Sequence, residues 1–428
     1  MGPAEPEQPA PEPSVPDPLA GRRILVGVSG SIAAVKVPQL VSALVKRGAQ
    51  VRCLLTPSAA VLVSPVALAS LSRERCYLDA DQWSHQASRP LHVELAEWAE
   101  LLLLAPLSAT SLARWVHGLA DTLLASTLLA SEAPVLAAAA MNTAMWASPA
   151  VRRNWHDLQT WERVLPLGPA PGLLACDRQG DGRMAEPCQL LLALETLQIW
   201  GWRRDWQGRR LLVSAGPTRE PLDPARCLSN RSSGLMGVLL AQAARHRGAR
   251  VDLVHGPLSV DPLLLEGLHC QPIETAAEMQ RALRRLQPQA DAVAMAAAVA
   301  DHRRQQPAAS KLEKQSLASA LQDGWEPVPD LLADLVSHRP PGQRLLGFAA
   351  QMGDGLPLAR AKWRRKGCDL LFVNPIDQPG AGFGAATNRG WLLGPGEQEQ
   401  PMGSAGKLAI AHQLLTALGG FVASELRA

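Results

Sequence analysis

The sequence predicts an α/β protein of two domains, each a doubly wound, mostly parallel sheet in a three-layer arrangement with helices on both faces. Short apolar strands alternate with helical patterns along most of the 428 residues, and 47% of the residues are hydrophobic, enough for two cores. Each half carries a glycine-containing loop directly after its first strand, at 27–31 and at 213–237. A polar linker at 201–208 separates the halves.

Composition excludes several classes of protein. The net charge of +3 gives no indication of binding to nucleic acid or to an anionic membrane. The seven cysteines form no CxxC pair, which is typical of a reducing compartment without a disulfide framework or a zinc site. Residues 1–20 are rich in Pro and Glu, so we expect a disordered tail and no signal peptide. The most apolar stretch, 125–145, contains Glu132 and Pro134, so we expect a buried segment and a cytoplasmic protein.

The first domain is expected over residues 21–200 and begins with a βαβ unit. The strand Arg22–Ser29 leads through GVSGS into a helix that ends near Gly48, and the strand Val51–Leu55 follows. Further strands are predicted at 101–104 and 135–138, and further helices at 108–116, 121–130 and 189–200. The stretch 149–188 is glycine-rich and lacks a regular pattern, so we expect irregular structure there.

The second domain, expected over residues 209–428, repeats this alternation. Its predicted strands are 211–213, 251–254, 292–297, 345–348 and 370–373, with a hairpin near 390–393. Its predicted helices are 237–247, 279–286, 356–366 and 407–418. Residues 302–330 are polar and poorly patterned, which favours a flexible loop. The two halves share an architecture and no sequence repeat.

The loop at 213–237, VSAGPTREPLDPARCLSNRSSGLMG, joins a strand to a helix. Its 25 residues are far more than a turn needs. Because the loop is rich in backbone donors and leads into a helix N-terminus, it predicts a nucleotide or phosphate site. A long surface loop of turn residues is the alternative.

The loop at 27–31, GVSGS, predicts a second phosphate site. It brings backbone N–H groups and two hydroxyls to a helix N-terminus, where the helix dipole favours an anion. Its spacing is not the dinucleotide GxGxxG, and the second strand ends in Thr56-Pro57-Ser58 instead of an acidic residue. Both features favour a mononucleotide over a nicotinamide cofactor.

Three single residues are candidates for chemistry in the first half. His92 precedes a buried strand, Asn142 follows another, and Cys176 lies in a glycine-rich segment. Each also has a structural explanation. A histidine before a strand can belong to the core or the surface, an asparagine can cap a helix, and a cysteine can be an ordinary buried thiol.

Longer motifs connect these residues to known families. GVSGSIAA, HVELAEWAE, LAPLSATSLAR, GLADTLLASTLLA, AMN and ACDRQGDGRM resemble the flavin-dependent cysteine decarboxylases. SAGPTREPLDPAR, SNRSSG and AAAVAD resemble phosphopantothenate–cysteine ligase. In this order on one chain they resemble the bifunctional family of bacterial coenzyme A biosynthesis, over roughly residues 21–420.

For the first domain the resemblance implies decarboxylation of 4′-phosphopantothenoylcysteine to 4′-phosphopantetheine. FMN oxidises the cysteine thiol to a thioaldehyde, the carboxylate leaves, and the enethiolate is protonated and reduced. By match, His92 is the base, Asn142 holds the substrate carboxylate and Cys176 protonates the enethiolate. The implied FMN contacts are Ser29, Gly30, Ser31, Ile32, Thr56, Ala105, Pro106, Ser108 and Ala109.

For the second domain the resemblance implies that CTP activates 4′-phosphopantothenate as an acyl-cytidylate, which the amine of L-cysteine attacks. Mg²⁺ is expected mainly on the CTP phosphates. By match, Asn230 positions the acyl-cytidylate and Lys311 stabilises charge as it forms. The implied CTP contacts are Gly216, Pro217, Thr218, Arg219, Ser232, Ser233, Gly234, Asp301, Lys311, Pro329, Asp330, Leu331, Leu332, Phe348, Lys362 and Lys366. For Lys362 and Lys366, whose spacing is i,i+4, a solvated helix face is the alternative.

The chain departs from the family pattern in both halves. In the second, Leu235 and Glu313 stand where lysines are usual, Gln351 replaces a glutamate and Pro375 an aspartate. In the first, the departures are Ala139, Ser31 and Asp177, and none removes a reacting group. A decarboxylase with an impaired ligase half is therefore one alternative.

The resemblance further implies a homo-oligomer that uses small-molecule substrates, with trimeric flavin domains, a site completed by a neighbouring copy, and dimeric ligase domains. A non-catalytic FMN-binding regulatory protein is a second alternative, but it needs none of His92, Asn142 and Cys176. A nicotinamide or nucleotide-sugar enzyme is a third, and it needs a GxGxxG with a distal acid that neither half supplies.

Overall fold

The computed structural model describes residues 15–84, 89–175, 177–353 and 356–420. Its two main sheets are mostly parallel and carry helices on both faces, so the predicted α/β class is confirmed. Each sheet is built from one half of the chain.

The first sheet has six parallel strands in the order β3-β2-β1-β4-β5-β6. Its strands are β1 (Arg23–Val28), β2 (Gln50–Leu55), β3 (Cys76–Leu78), β4 (Leu101–Leu107), β5 (Val135–Ala139) and β6 (Val164–Leu167). All residues of β4 and β5 are buried, because helices cover both faces of the sheet. The strand order reverses between β1 and β4, so a ligand crevice is expected at their carboxyl ends.

The helices of the first domain pack on both sides of this sheet and bury one apolar cluster on each face. They are α1 (Val37–Lys46), α2 (Pro57–Leu62), α3 (Pro65–Ser72), α4 (Leu91–Trp98), α5 (Ala109–Val116), α6 (Leu123–Ala130), α7 (Thr143–Ala147), α8 (Pro149–Thr160) and α9 (Pro187–Ile199). An antiparallel hairpin of β7 (Ala170–Leu173) and β8 (Gln179–Arg183) precedes α9.

The second sheet has eight strands in the order β13-β12-β9-β14-β17-β18-β19-β20, of which only the last two pairings are antiparallel. These strands are β9 (Arg210–Ala215), β12 (Arg250–His255), β13 (His269–Pro272), β14 (Ala292–Met295), β17 (Arg344–Gln351), β18 (Leu370–Pro375), β19 (Thr387–Gly394) and β20 (Gln398–Gly406). The strand order reverses between β9 and β14, which places a second crevice at their carboxyl ends.

Within its described residues, the second domain also contains two short hairpins and six helices. The hairpins are β10 (Arg219–Asp223) with β11 (Arg226–Ser229), and β15 (His302–Arg304) with β16 (Trp325–Pro327). The helices are α10 (Leu235–His246), α11 (Ala276–Leu286), α12 (Lys314–Gln322), α13 (Leu331–Ser337), α14 (Leu356–Lys366) and α15 (Lys407–Gly419). Short 3-10 turns lie at Ile32–Lys36, Asp79–Trp83, Pro262–Leu265, Gln287–Gln289 and Pro395–Glu397.

Two stretches expected to lack regular structure do not. Residues 149–188 contain α8 and three strands, and residues 302–330 contain β15, α12 and β16. The loop at 213–237 likewise contains the hairpin β10–β11. Helix α12 and the hairpins β7–β8 and β15–β16 escape pattern analysis because they bury little apolar surface, and α12 has no buried residue. Helix α8 and strand β6 do bury apolar side chains, among them Trp155, Leu158 and Leu165.

Residues 15–20 of the predicted tail and the linker predicted at 201–208 also pack more closely than expected, whereas residues 1–14 of the tail lie outside the described residues. Leu19 is fully buried in the first core, and the Asp17 carboxylate lies 2.6 Å from Arg47 Nε, so residues 17–20 are not part of a disordered tail. In the linker, Trp206 is only 1% exposed and belongs to the second core. The two domains are therefore joined by a packed segment.

Within the described residues, none of the helices combines the length and apolar character required to cross a membrane. The six cysteines found there are free thiols. No group of three His, Cys, Asp or Glu side chains arranged to hold a metal ion occurs in this same part of the chain.

Candidate active sites

A cavity of about 490 Å³ lies at the carboxyl ends of β1, β4 and β5. It coincides with the first crevice that the strand order creates. Its wall includes the predicted site residues Gly30, Ser31, Ile32, Ser108, Ala109 and Asn142. Its size is ordinary for a cofactor or small-molecule site.

Close packing shapes the end of this cavity next to the loop that follows β1. A Cβ atom at Gly30 would lie 2.5 Å from the Cβ of Ser58, so only glycine fits there. Ser29 Oγ donates to the Pro106 carbonyl and accepts from the Ser108 N–H, both at 2.7 Å. Ser29 thereby fastens the loop after β1 to the end of β4 and the start of α5, and Ser108 caps α5.

Four of the predicted FMN contacts are not on the cavity wall. They are Ser29, Thr56, Ala105 and Pro106. The Thr56 hydroxyl caps α2 by accepting from the Ala59 N–H at 3.3 Å. Ala105 and Ser29 are at most 1% exposed. These residues support the loops that line the cavity.

Asn142 combines the two roles that its sequence position suggested. Its Oδ1 accepts from the Ala144 N–H at 2.8 Å and so caps α7, and the residue also lines the cavity. The hairpin β7–β8 packs beside it, since a Cβ at Gly182 would lie 2.3 Å from the Met141 carbonyl oxygen. The hairpin and the Asn142 loop together form one wall.

The other two predicted catalytic residues are not placed at this cavity. Cys176 lies outside the described residues, although Ala175 before it lines the cavity. His92 is half-buried in the first turn of α4 and lies outside the cavity lining of its own chain.

Two cations on the wall were not anticipated from the sequence. Lys36 Nζ lies 2.6 Å from Glu186 Oε1, and Arg183 Nη1 donates to the same oxygen at 2.9 Å. Both cations line the cavity. Arg183 lies within the GDGRM motif, so the sequence contained the information needed to predict this residue as part of the site. The cations, the two serine hydroxyls and the α5 N-terminus make the cavity suitable for an anionic cofactor and substrate.

A second cavity, of about 330 Å³, lies beyond the carboxyl end of β14. It brings together residues that are far apart in the sequence. Its wall includes Asp301, Pro329, Asp330, Leu331, Leu332, Phe348, Lys362 and Lys366, all of which were predicted as nucleotide contacts.

The positive charge at this cavity is carried by residues of α14. Lys366 is ion-paired with Asp330. Burial raises the pKa of Asp330, but the hydrogen bonds from Lys366 and the Ala333 N–H outweigh it and hold the pKa below its ordinary value. Burial and the nearby Lys366 lower the pKa of Lys362. Arg365, which sequence reasoning missed within the basic run KWRRK, also lines the cavity.

The loop Gly216–Thr218 is clamped to the loop after β14. The Ala298 N–H donates to the Gly216 carbonyl at 2.9 Å, and the Ala300 N–H donates to Thr218 Oγ1 at 3.1 Å. Thr218 is fully buried, so its hydroxyl supports the loop from inside. Arg219, in contrast, is exposed.

Asn230 extends the same clamp. Its Nδ2 donates to the carbonyls of Ala298 and Val299, both at 3.1 Å. In the loop that follows, the Ser232 and Ser233 hydroxyls accept from backbone N–H groups two residues further on. The SNRSSG loop therefore lies against the loop that ends in Asp301, at the crevice between β9 and β14.

Lys311 and Leu235 are not on the cavity wall. Lys311 is exposed, and its neighbour Leu312 is anchored through its N–H to Asp223 Oδ2 at 3.1 Å. Leu235 begins α10 and packs, half-buried, against the second core. Its apolar side chain therefore has a structural role at the position where the resemblance leads us to expect a lysine.

Comparison with known proteins identifies both halves. The family "Flavoprotein" matches residues 13–196, and the family "DNA/pantothenate metabolism flavoprotein C-terminal domain" matches residues 206–421. A crystal structure of the C-terminal domain of a coenzyme A biosynthesis bifunctional protein is 29% identical, with a TM-score of 0.42, over 51% of this chain and 97% of that domain. A PPC decarboxylase mutant complexed with pantothenoylaminoethenethiol is 33% identical, with a TM-score of 0.38, over 41% of this chain and 96% of that protein.

One relative matches almost end to end. The "Coenzyme A biosynthesis bifunctional protein CoaBC" of Bacillus subtilis (strain 168) is 36% identical over 398 residues, which cover 93% of this chain and 96% of the relative. Both family matches and this full-length match lead to one conclusion. The chain belongs to the family of coenzyme A biosynthesis bifunctional proteins.

Proposed function

We propose that this chain is a bifunctional enzyme that makes 4′-phosphopantothenoylcysteine from 4′-phosphopantothenate, L-cysteine and CTP, and then decarboxylates it to 4′-phosphopantetheine. The observation that carries this proposal is the pair of cavities at the carboxyl ends of the two sheets. The first lies at the crevice between β1 and β4 and is lined by residues of the first domain's motifs, and the second lies beside the β9–β14 crevice, beyond β14, and is lined by residues of the AAAVAD motif. Membership of the family supports both halves of the reaction.

In the first cavity we infer an FMN site, with the phosphate near Gly30–Ile32 and the N-terminus of α5. The bound flavin supplies the oxidation and reduction of the substrate's sulfur-bearing carbon. Asn142 offers an amide to the carboxylate that leaves, while its own Oδ1 keeps the side chain oriented by capping α7. Lys36 and Arg183 attract the anionic substrate, and Cys176 is proposed to protonate the enethiolate.

We infer that His92 acts in the cavity of a neighbouring copy. It lies outside the lining of its own chain's cavity. Ile32 and Val35 on the cavity wall are 55% and 57% exposed, which supports cover by another copy at this surface. We propose trimeric packing of the flavin domains, dimeric packing of the ligase domains and a cytoplasmic location.

In the second cavity we infer the CTP site, with Mg²⁺ carried on the nucleotide phosphates. Lys362, Arg365 and Lys366 supply positive charge where charge develops on phosphate oxygens. Asn230 joins the two loops at the mouth of the crevice and positions the acyl-cytidylate. Lys311 is proposed to approach this site from the exposed segment before α12 when CTP binds.

A coupled assay tests the proposal. Purified protein with 4′-phosphopantothenate, L-cysteine, CTP and Mg²⁺ should release pyrophosphate, CMP and CO₂ and form 4′-phosphopantetheine. Turnover of supplied 4′-phosphopantothenoylcysteine without CTP-dependent pyrophosphate release would mean that the ligase half is impaired. A yellow protein that turns over neither substrate would instead support a regulatory flavoprotein.

A further inference from the structure

A carboxylate of the second domain reaches the wall of the first domain's cavity. Arg183, at the end of β8, lines that cavity, and its Nη2 donates to Glu266 Oε1 at 2.5 Å. Glu266 follows the 3-10 turn Pro262–Leu265 of the second domain. Both side chains are only 25% exposed, so water screens this pair incompletely.

The Arg183 guanidinium is held from two sides. Nη1 donates to Glu186 of the first domain, and Nη2 donates to Glu266 of the second. Glu186 also binds Lys36, so two carboxylates face the two cations of the cavity wall. With a single carboxylate the guanidinium could rotate about that contact, whereas two carboxylates on different nitrogens fix its plane.

Glu266 itself is held in place by hydrogen bonds from both domains. Gln242 of α10, only 3% exposed, donates through Nε2 to the Glu266 carbonyl at 3.1 Å and to the Leu264 carbonyl at 2.6 Å. Gln189 of α9 donates through Nε2 to Glu266 Oε2 at 3.1 Å. The backbone and both carboxylate oxygens therefore have fixed partners, and side chains held in this way preorganise the group they contact.

We propose that Glu266 is a positioning residue for the decarboxylase: from the ligase domain, it fixes Arg183 in the orientation that binds the anionic substrate. The inference rests on the proposed function and adds a residue of the second domain to the site of the first. It also gives the fusion of the two domains a role in the chemistry of one of them.

The test is decarboxylation by the full-length Glu266→Gln variant, which keeps the size of the side chain and removes its charge. KM for 4′-phosphopantothenoylcysteine should rise about threefold to fivefold, the effect of losing one partly exposed ion pair, with kcat within about twofold of wild type. The flavin absorption spectrum and the CTP-dependent ligase rate should not change. In an Arg183→Met background, Glu266→Gln should raise KM no further, because the effect acts through Arg183.

Glu195→Gln is the matched control. Glu195 Oε1 lies 2.5 Å from Arg47 Nη1, Arg47 retains Asp17 as a second carboxylate, and neither residue lines the cavity. This variant should keep the wild-type KM. An unchanged KM in Glu266→Gln, an equal rise in Glu195→Gln, or additive effects of Glu266→Gln and Arg183→Met would each overturn the inference. A wild-type protein without decarboxylase activity would overturn the proposed function instead, and the inference with it.

Discussion

Asn142 illustrates how one side chain can serve both stability and the proposed chemistry. Its Oδ1 caps α7, while the residue forms part of the cavity wall. From the sequence alone, helix capping is the structural explanation for this asparagine and substrate binding is the functional one. The structure makes them compatible, because a helix that begins at the carboxyl end of β5 has its cap at the crevice.

Substitutions at Asn142 should separate these two roles. Asp accepts a hydrogen bond at an N-cap as well as Asn does, so Asn142→Asp should unfold at the wild-type temperature. It should nevertheless lose decarboxylation, because a second carboxylate repels the carboxylate of the substrate. Asn142→Ala should lose activity and also about 1 kcal/mol of stability. Thermal unfolding and CO₂ release distinguish the variants, and an active Asn142→Asp enzyme would contradict the proposed role.

Lys362 should make CTP binding depend on pH. Burial and Lys366 lower its pKa, so it loses its proton at a lower pH than an ordinary lysine. CTP phosphates favour the charged form, and KM for CTP should therefore rise with pH on the alkaline side, at a pH below that at which an ordinary lysine titrates, while in Lys362→Arg it should stay flat. A wild-type KM that stays constant over this range would refute the prediction.

The same shift has a consequence for the free protein. Because the folded-state pKa of Lys362 lies below its unfolded value, the unfolded chain binds more protons between the two values. The unfavourable contribution of Lys362 to folding is thus present at neutral pH, begins to fall as the pH rises above the lowered pKa, and disappears above the unfolded value. CTP binding and apo-protein stability should respond to this titration in opposite directions.

At the scale of elements, the sequence predicts the strands that are buried on both faces. β1, β4, β5 and β9 are short apolar runs, and their apolar character follows from the helices on both sides. The hairpin β10–β11 is different, since its strands REPLD and RCLS contain proline and charge and are mostly defined by backbone pairing. Neither propensity nor periodicity could have revealed it.

Gly234 is the residue on which the loop before α10 depends. Its φ of +81° is left-handed, and an added Cβ would lie 2.1 Å from Leu258 Cδ2 and 3.2 Å from Gly216. Gly234→Ala should therefore displace the SNRSSG loop and lower the ligase rate by about tenfold or more, while decarboxylation is retained. Gly342, with a φ of +80° and open space around it, is the control for backbone strain alone. If Gly342→Ala lost ligase activity to a similar extent, backbone strain alone would account for the effect and the steric contacts of Gly234 would not be needed to explain it.

At the scale of the whole molecule, the sequence does not predict the packing of the segment that joins the two domains, residues 201–210, which we call the joint. The segment GWRRDWQGRR is polar and reads as a linker. In the structure, Asp205 accepts from Nε of the fully buried Arg247 at 2.8 Å, and the Arg247 guanidinium carbon lies 3.6 Å from the ring centroid of Trp200. These contacts arise only when the ends of α9 and α10 meet, so local pattern carries no information about them.

The pair Asp205–Arg247 should matter more for stability than a similar pair near the surface. Burial lowers the pKa of Arg247 and the Asp205 carboxylate opposes this shift, so removing that carboxylate strands a buried cation. Asp205→Asn should cost about 3 kcal/mol of unfolding free energy. Asp17→Asn, which alters a pair whose Asp side chain is 32% exposed, should cost about 1 kcal/mol or less. If chemical denaturation gave the two variants equal losses of unfolding free energy, the larger contribution predicted for the Asp205–Arg247 pair would be contradicted.

The joint should also couple the thermal unfolding of the two domains. The Trp200 ring lies parallel to His412, with 6.0 Å between centroids, and beneath Arg247, so the end of the first domain is covered by side chains of the second. Melting either domain exposes the other at this point. Calorimetry should therefore record a single cooperative transition, and both activities should disappear over the same temperature interval. Two separate transitions would instead show that the two domains unfold independently, each at its own temperature.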